Sequence, residues 1–370
     1  MHVVVCTVVH HPADARIYFR QIRALLEAGH EVTYIAPMEE PGAPASLGPG
    51  LATVAIPRAV GTRRLGALRA ARAAMARDAP AADLLLVHDP ELLLVLPRRS
   101  RRPPTVWDVH EDTAAALTTK AWLPRFLRPV AAGGVIAAEH LAERRLHLIL
   151  AEAGYNERFR AAHPVVPNTT YVPATAAPAA GPRRVIYVGH LSPDRGSAEM
   201  AQLGRLLAPH GITVELVGPA DAAAQEHIRA AGDAVRWHGF VPNARALALA
   251  DGAIAGLSLL QDEANFRVSM PTKVIEYMAR ALPVITTPLP LAVDLVRSAG
   301  CGIVVPFNDP PAAAGAVLGL DADPALRAAM GARGHEAALR GLGWPAAAAE
   351  FVAQLERWAG DGARSQVTAR

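Results

Sequence analysis

With 370 residues, 51% of them hydrophobic and 19% charged, the chain is long enough for two domains with substantial cores and too apolar for extensive disorder. A net charge of +3 excludes a strongly basic nucleic-acid-binding protein, and no uncharged run of about 20 apolar residues predicts a membrane span. The opening "MHVVVCTVVHHP" lacks a basic region and a cleavage site, so no signal peptide is expected; two distant cysteines, Cys6 and Cys301, exclude a disulfide scaffold and fit a reducing cytoplasm.

In chain order, "HVVVCTVV" predicts a buried strand, "DARIYFRQIRALLEAG" an amphipathic helix and "HEVTYIAP" a second strand. "ADLLLVHD" and "PTVWDVHED" follow as strands with helical stretches around them, the pattern of a parallel, helix-covered sheet. Residues 163–184, rich in Pro, Ala and Thr and without a period, read as a linker. A second series then runs "RVIYVGH", "ITVELVG", "AVRWHGFV", "GAIAGLSLL" and "PVITT" with helices between, and "GWPAAAAEFVAQLERWAG" predicts a late amphipathic helix. Two doubly wound domains are expected, over 1–165 and 166–345, facing a central cleft, with 346–370 packing back toward the first. Ligands are expected at the carboxyl ends of the strands.

"MPTKVIEYMARALPVITT" (270–287) is the most informative stretch. Pro271 suits a first helical position, and Val274, Ile275, Met278, Ala279 and Leu282 form one buried stripe that Pro283 ends. Lys273 then lies in the first turn, at the positive end of the helix dipole, where a cation is disfavoured unless something negative sits beside it. Of 37 basic residues only Lys120 and Lys273 are lysines, so this one is not an arbitrary surface choice. Glu276 has two readings: an i,i+4 ion pair with Arg280, or a carboxylate accepting both ribose hydroxyls of a nucleotide.

"VGHLSPDRGS" (188–197) places Gly189 and Gly196 between a strand and a helix, with Arg195 beside them: an anion site, or a plain strand-to-helix turn. His10/His11, His88 and His110 each follow a predicted strand, with Asp89, Glu111 and Asp112 nearby. These are metal-ligand types, but without a compact ligand spacing; packing and hydrogen bonding are the ordinary roles of strand-end histidines, and substrate contact by His110 is preferred over a metal site. The basic run "RRSRR" (98–102) is a solvated loop or a contact for an anionic acceptor or membrane surface. Residues 1–165 hold 20 basic and 16 acidic residues, against 17 and 18 in the remainder.

These blocks, with "VHDPELL", "VPN" and "VRWHGFVP", in this order resemble family-4 retaining glycosyltransferases of the GT-B fold, in the variant with P-T-K before E-Y-M-A. The resemblance implies a nucleoside-diphosphate sugar held by the second domain and a hydroxyl-bearing acceptor (glycan, lipid-linked or small natural product) held mainly by the first. It implies no cofactor, no metal and no nucleic acid, and a cytoplasmic enzyme that sits peripherally at the membrane if its acceptor is lipid-linked. By the same resemblance Arg195 faces the diphosphate, Glu276 the ribose, and His238, Gly239 and Phe240 the base; Lys273, from its own helix start, is expected to meet the diphosphate together with Arg195. Gly189 and His190 line the donor loop, and His110 contacts the sugar. His11, Asp14, Arg16, His88 and Glu111 are the acceptor-side candidates.

Three positions depart from the family. His190 stands where arginine is common, and Val268 where the first motif glutamate is expected, with Asp262 or Glu263 as substitutes. "HHPADAR" replaces a glycine-rich loop, and Asp14 and Arg16 are expected to pair. Two rivals share the fold: an epimerase, which converts donor without acceptor, and a non-catalytic partner, which binds donor and does nothing further.

Overall fold

The computed structural model describes residues 1–44, 48–110, 128–175 and 182–368. The chain divides into two compact units, Met1–Asn168 with Pro345–Arg370, and Thr169–Trp344.

The first unit is built on six parallel strands: β1 (His2–Cys6), β2 (Glu31–Ala36), β3 (Leu51–Ala55), β4 (Leu84–Val87), β5 (Thr105–Val109) and β6 (His147–Leu150). Their order is β3-β2-β1-β4-β5-β6, a doubly wound sheet whose winding reverses between β1 and β4. β4 and β5 are buried along their whole length; β4 is accordingly a continuous apolar run rather than an alternating one, while β5 is interrupted by Asp108. The helix expected over 14–29 begins with a π-helical turn, Ile17–Ile22, and becomes α-helical only at Arg23–Glu27. In that turn the Gln21 N–H donates to the Arg16 carbonyl at 2.9 Å. The wider register stacks Gln21 over Arg16, and both side chains then reach one carboxylate, described below.

The late helix spans Trp344–Thr368. It buries Phe351 and Leu355 completely, stacks Trp358 on His147 (centroids 4.6 Å apart) and brings Glu356 Oε1 to 3.0 Å from His30 Nε2. The expected linker is pinned at two described points, Val165 bridging Leu150 and Thr170 bridging Gly343.

The second unit repeats the winding with β7 (Arg184–Val188), β8 (Thr213–Val217), β9 (Val235–Trp237), β10 (Gly256–Ser258), β11 (Val284–Thr286) and β12 (Gly302–Val304), in the order β12-β11-β10-β7-β8-β9. Along β7, Val185 and Tyr187 enter one apolar cluster while Ile186 and Val188 enter another, so both faces of the sheet are covered. β7 and β10 share a single register pair, Ile186 with Gly256. Tyr277 closes the gap beyond it: its hydroxyl accepts from the Val188 N–H at 2.9 Å and donates to the Leu257 carbonyl at 3.2 Å. Gly256 makes room for that ring, since a Cβ there would lie 2.3 Å from it. The helix bearing Lys273 runs Thr272–Ala279, with Pro271 just outside it at the N-cap rather than in the first turn.

Candidate functional site

In the first unit, the carboxyl ends of β1, β4 and β5 gather a polar cluster at the point where the winding reverses. Its centre is Asp108, a fully buried carboxylate on an otherwise apolar strand. Arg16 clamps it with two bonds, Nε to Oδ2 at 2.7 Å and Nη2 to Oδ1 at 2.6 Å, and Gln21 Nε2 adds a third at 3.0 Å. The remaining Arg16 donor, Nη1, goes to the Val166 carbonyl and Asn168 Oδ1, both at 2.9 Å. Burial works against the Asp108 charge, yet the Arg16 charge and the surrounding hydrogen bonds outweigh it and hold the carboxyl well below its usual range.

This corrects two expectations. Arg16 does not pair with the Asp14 side chain; Asp14 Oδ1 instead accepts the backbone N–H groups of Arg16 (2.8 Å) and Ile17 (3.0 Å), tying down the start of the π turn. Arg16 is also committed internally and buried, so it supports the site rather than meeting an acceptor. His88 is likewise only 2% exposed, with Nδ1 3.2 Å from Asp108 Oδ2. Burial, partly opposed by Asp108, lowers its pKa and keeps the ring neutral. His11 serves its own loop, facing the Pro41 carbonyl at 2.9 Å through Nε2 and accepting the Ala13 N–H at 3.0 Å through Nδ1. Glu111, and Asp112 beside it, lie outside the described residues.

His110 sits between these groups and His10, its Nε2 2.9 Å from His10 Nε2. Among the described residues, His88, Asp108 and His110 place one donor atom each within 4.8 Å of one another. A cation there would compete with the Arg16 guanidinium for Asp108, whose two oxygens are already engaged. Chelation is therefore expected to leave activity intact, while His110→Ala lowers turnover with nucleotide affinity nearly unchanged. A stoichiometric metal lost together with activity would reverse this reading.

In the second unit, the loops after β7, β8 and β9 lie edge to edge with almost no side chain between them. The Gly189 N–H donates to the Val217 carbonyl at 2.9 Å, and the Gly218 N–H to the Gly239 carbonyl at 2.8 Å. A Cβ on Gly218 (φ +136°) would lie 2.0 Å from the Gly189 oxygen. Gly196 (φ +82°) is equally constrained, a Cβ there falling 2.1 Å from the Leu259 oxygen just after β10. Gly218 and Gly196 are buried and Gly189 half-buried, so these glycines let the loops pack backbone to backbone with no side chain between.

Lys273 enters this surface beside Gly189. It is 7% exposed, its Nζ lies 5.1 Å from the Tyr187 ring centroid, and among the described residues it forms no ion pair. Burial first, and the Arg195 charge second, bring its pKa down to about 7, with Glu276 pulling weakly the other way. Arg195, on the short turn Pro193–Arg195, has its guanidinium 5.9 Å from the Phe266 ring centroid and, among the described residues, also forms no ion pair. Tyr187 is raised to about 12 by burial, which the Arg195 charge opposes, and its hydroxyl donates to the His190 carbonyl at 2.7 Å. Two cations thus press on one another, and among the described residues neither forms an ion pair with a carboxylate. That arrangement suits an anion.

Glu276 is 7% exposed, and Arg280 has a partner other than Glu276: its Nη1 donates to Asp251 at 2.7 and 2.9 Å. The surface i,i+4 pair is thereby overturned, because a partner 29 residues away offers a better-placed carboxylate. His190 is exposed, as is Phe240 beyond Gly239, while His238 Nε2 stands 3.5 Å from the buried Glu215. Val268 is exposed, and Asp262 is taken up by a forked pair with Arg267 at 2.6 and 2.7 Å, which weakens it as a replacement for the absent glutamate. Glu263 precedes the short helix Ala264–Arg267 at its N-cap. Sequence reasoning missed Asp108 and Tyr277; the available signal for Asp108 was a lone carboxylate inside "TVWDV", which demands a buried cation.

Residues 182–323 match the family described as Glycosyl transferases group 1. No curated protein sequence matches the chain. Among solved structures, the chain is similar to a sucrose-phosphate synthase from Thermosynechococcus elongatus, at TM-score 0.72 and 21% identity over 96% of this chain and 98% of that one. It is also similar to HepE of Anabaena in complex with UDP-glucose (TM-score 0.73, 14% identity, 96% and 100% coverage). A third is WaaG, a glycosyltransferase involved in lipopolysaccharide biosynthesis (0.66, 14%, 94% and 98%). The two like-wound sheets and these full-length likenesses give the chain the GT-B fold, with a second unit whose sequence is similar to glycosyl transferases group 1.

Proposed function

We propose that the protein is a retaining, metal-independent glycosyltransferase that moves a sugar from a nucleoside diphosphate to an acceptor hydroxyl. The observation that carries this is Lys273 and Arg195, two cations that form no ion pair among the described residues, beside the glycine loops at the carboxyl end of the second sheet. Structures of the same fold are described with UDP and with UDP-glucose bound, which supports a nucleotide sugar as the donor class.

In this reading the acceptor oxygen attacks the anomeric carbon from the face that the nucleotide leaves. The sugar–phosphate bond breaks, and a departing phosphate oxygen takes the acceptor proton. Lys273 and Arg195 stabilise the charge that grows on the diphosphate, a contribution preorganised before the reaction begins. Glu276 holds the ribose, the His238–Phe240 loop meets the base, and His110 of the first unit contacts the transferred sugar. No helix among the described residues is long and apolar enough to cross a membrane. The exposed Arg98, Arg99 and Arg101 are the groups that would meet an anionic acceptor or membrane surface.

A thermal-shift screen against nucleoside diphosphates tests the binding claim, because a specific ligand stabilises in proportion to its occupancy. One base should shift the transition and the others should not; no shift with any would contradict it. Transfer is then read by mass spectrometry with candidate acceptors. Glu276→Ala is expected to weaken the nucleoside diphosphate and its 2′-deoxy analogue to similar, poor affinities. The loss should be about 1.5–3 kcal/mol, the range for a charged hydrogen bond. Unchanged affinity in calorimetry would remove Glu276 from the ribose.

A further inference from the structure

The contact between His10 and His110 fixes where their protons are. His110 Nδ1 lies 3.1 Å from the Asp108 backbone oxygen and 3.5 Å from its carboxylate, both acceptors, so Nδ1 carries a hydrogen. His110 Nε2 is 2.9 Å from His10 Nε2, and two bare nitrogen lone pairs would repel at that distance. One hydrogen therefore lies between them. In the neutral pair it belongs to His10, since His110 already holds its single proton on the far nitrogen.

Neighbouring carboxylates orient the two rings. Asp89 Oδ1 is 3.3 Å from His10 Nε2, and Asp14 Oδ2 is 4.0 Å from His10 Nδ1. The other oxygen of Asp89 is held by the Thr7 hydroxyl at 2.9 Å and the Val8 N–H at 2.6 Å, so this carboxylate is fixed in place. Asp108 faces the opposite side of His110, and its charge is met by Arg16. The His88 ring, 5.7 Å from that of His110, is buried and neutral. Among the described residues, three carboxylates and one guanidinium thus surround the pair and hold both rings in place.

We propose that His10 is a positioning residue for His110: the two form a proton-sharing dyad in which His10 supplies the hydrogen between the rings and keeps His110 Nε2 an acceptor. This rests on the reading of His110 as the sugar-contacting residue and adds what that residue recognises. A ligand group that takes the place of His10 must donate into the same lone pair, so it is a hydroxyl rather than a carbonyl or a phosphate oxygen.

The test reads the ring-nitrogen tautomers by two-dimensional NMR at neutral pH in the wild type, His10→Gln and His10→Leu. In the wild type His110 should carry its hydrogen on Nδ1, with Nε2 accepting from His10. Glutamine, whose amide still donates, should preserve that tautomer and more of the turnover than leucine does. A wild-type His110 with its hydrogen on Nε2, or a tautomer unmoved by His10→Leu, would overturn the dyad. The NMR result stands whether or not the protein transfers sugar. An intact wild-type tautomer without any transfer would count against the glycosyltransferase reading alone.

Discussion

Replacing Lys273 with methionine is expected to lower turnover by about 10²–10³ at saturating donor, with a smaller effect on donor affinity, and at the same time to stabilise the free protein. The two effects share one cause. A buried ammonium with no ion pair is costly, which is what brings its pKa from 10.5 down to about 7. At about 1.4 kcal/mol per pKa unit the penalty amounts to a few kcal/mol.

The sign follows from proton counting. Between pH 7 and about 10.4 the unfolded chain holds a proton at this lysine that the folded chain lacks, so wild-type stability rises with pH across that window. Below about pH 7 both states are charged and the full penalty remains. Urea unfolding should show that rise for the wild type and its absence in Lys273→Met, with the variant the more stable at pH 7. Lys273→Arg should recover only part of the turnover, because a planar guanidinium does not occupy the place of a compact ammonium. Normal turnover in Lys273→Met would make the lysine a packing residue and nothing more.

Arg16→Met is expected to cost about 3–5 kcal/mol, the loss typical of removing one partner from a buried pair. Asp108 would be left at the centre of the first unit without its guanidinium, and Gln21 and the neutral His88 cannot replace that charge. The wild-type contribution of Asp108 is present above its unfolded pKa of about 3.9 and fades as pH falls through its depressed folded value. The gap between wild type and variant in denaturant midpoint should therefore be wide at pH 7 and narrow on acidification. A gap independent of pH would mean that lost packing, not the charge pair, explains the change.

The sheets were legible in sequence where strands are covered on both faces, as in β1, β4 and β7, because such strands are continuous apolar runs. β3, "LATVA", is half exposed at the edge of its sheet and carries no such run; β12 is three residues long. The π turn at Ile17–Ile22 was not legible. Its cause is tertiary, a carboxylate 92 residues from Arg16 that requires Arg16 and Gln21 on one side. The same reason defeated the Glu276–Arg280 pair, since nothing local announces Asp251. Lys273 was legible because two local facts met in it, a helix start that disfavours cations and a chain that otherwise uses arginine.

Proton uptake on binding measures directly whether Lys273 faces the donor diphosphate. Near pH 8.5 the free lysine is mostly neutral, and an arriving diphosphate would draw a proton onto it. Calorimetric titration of the preferred nucleoside diphosphate in buffers of different ionisation enthalpy should show uptake approaching one proton per site in the wild type. It should fall to near zero in Lys273→Met. Binding without uptake in the wild type, or equal uptake in both proteins, would contradict the central claim.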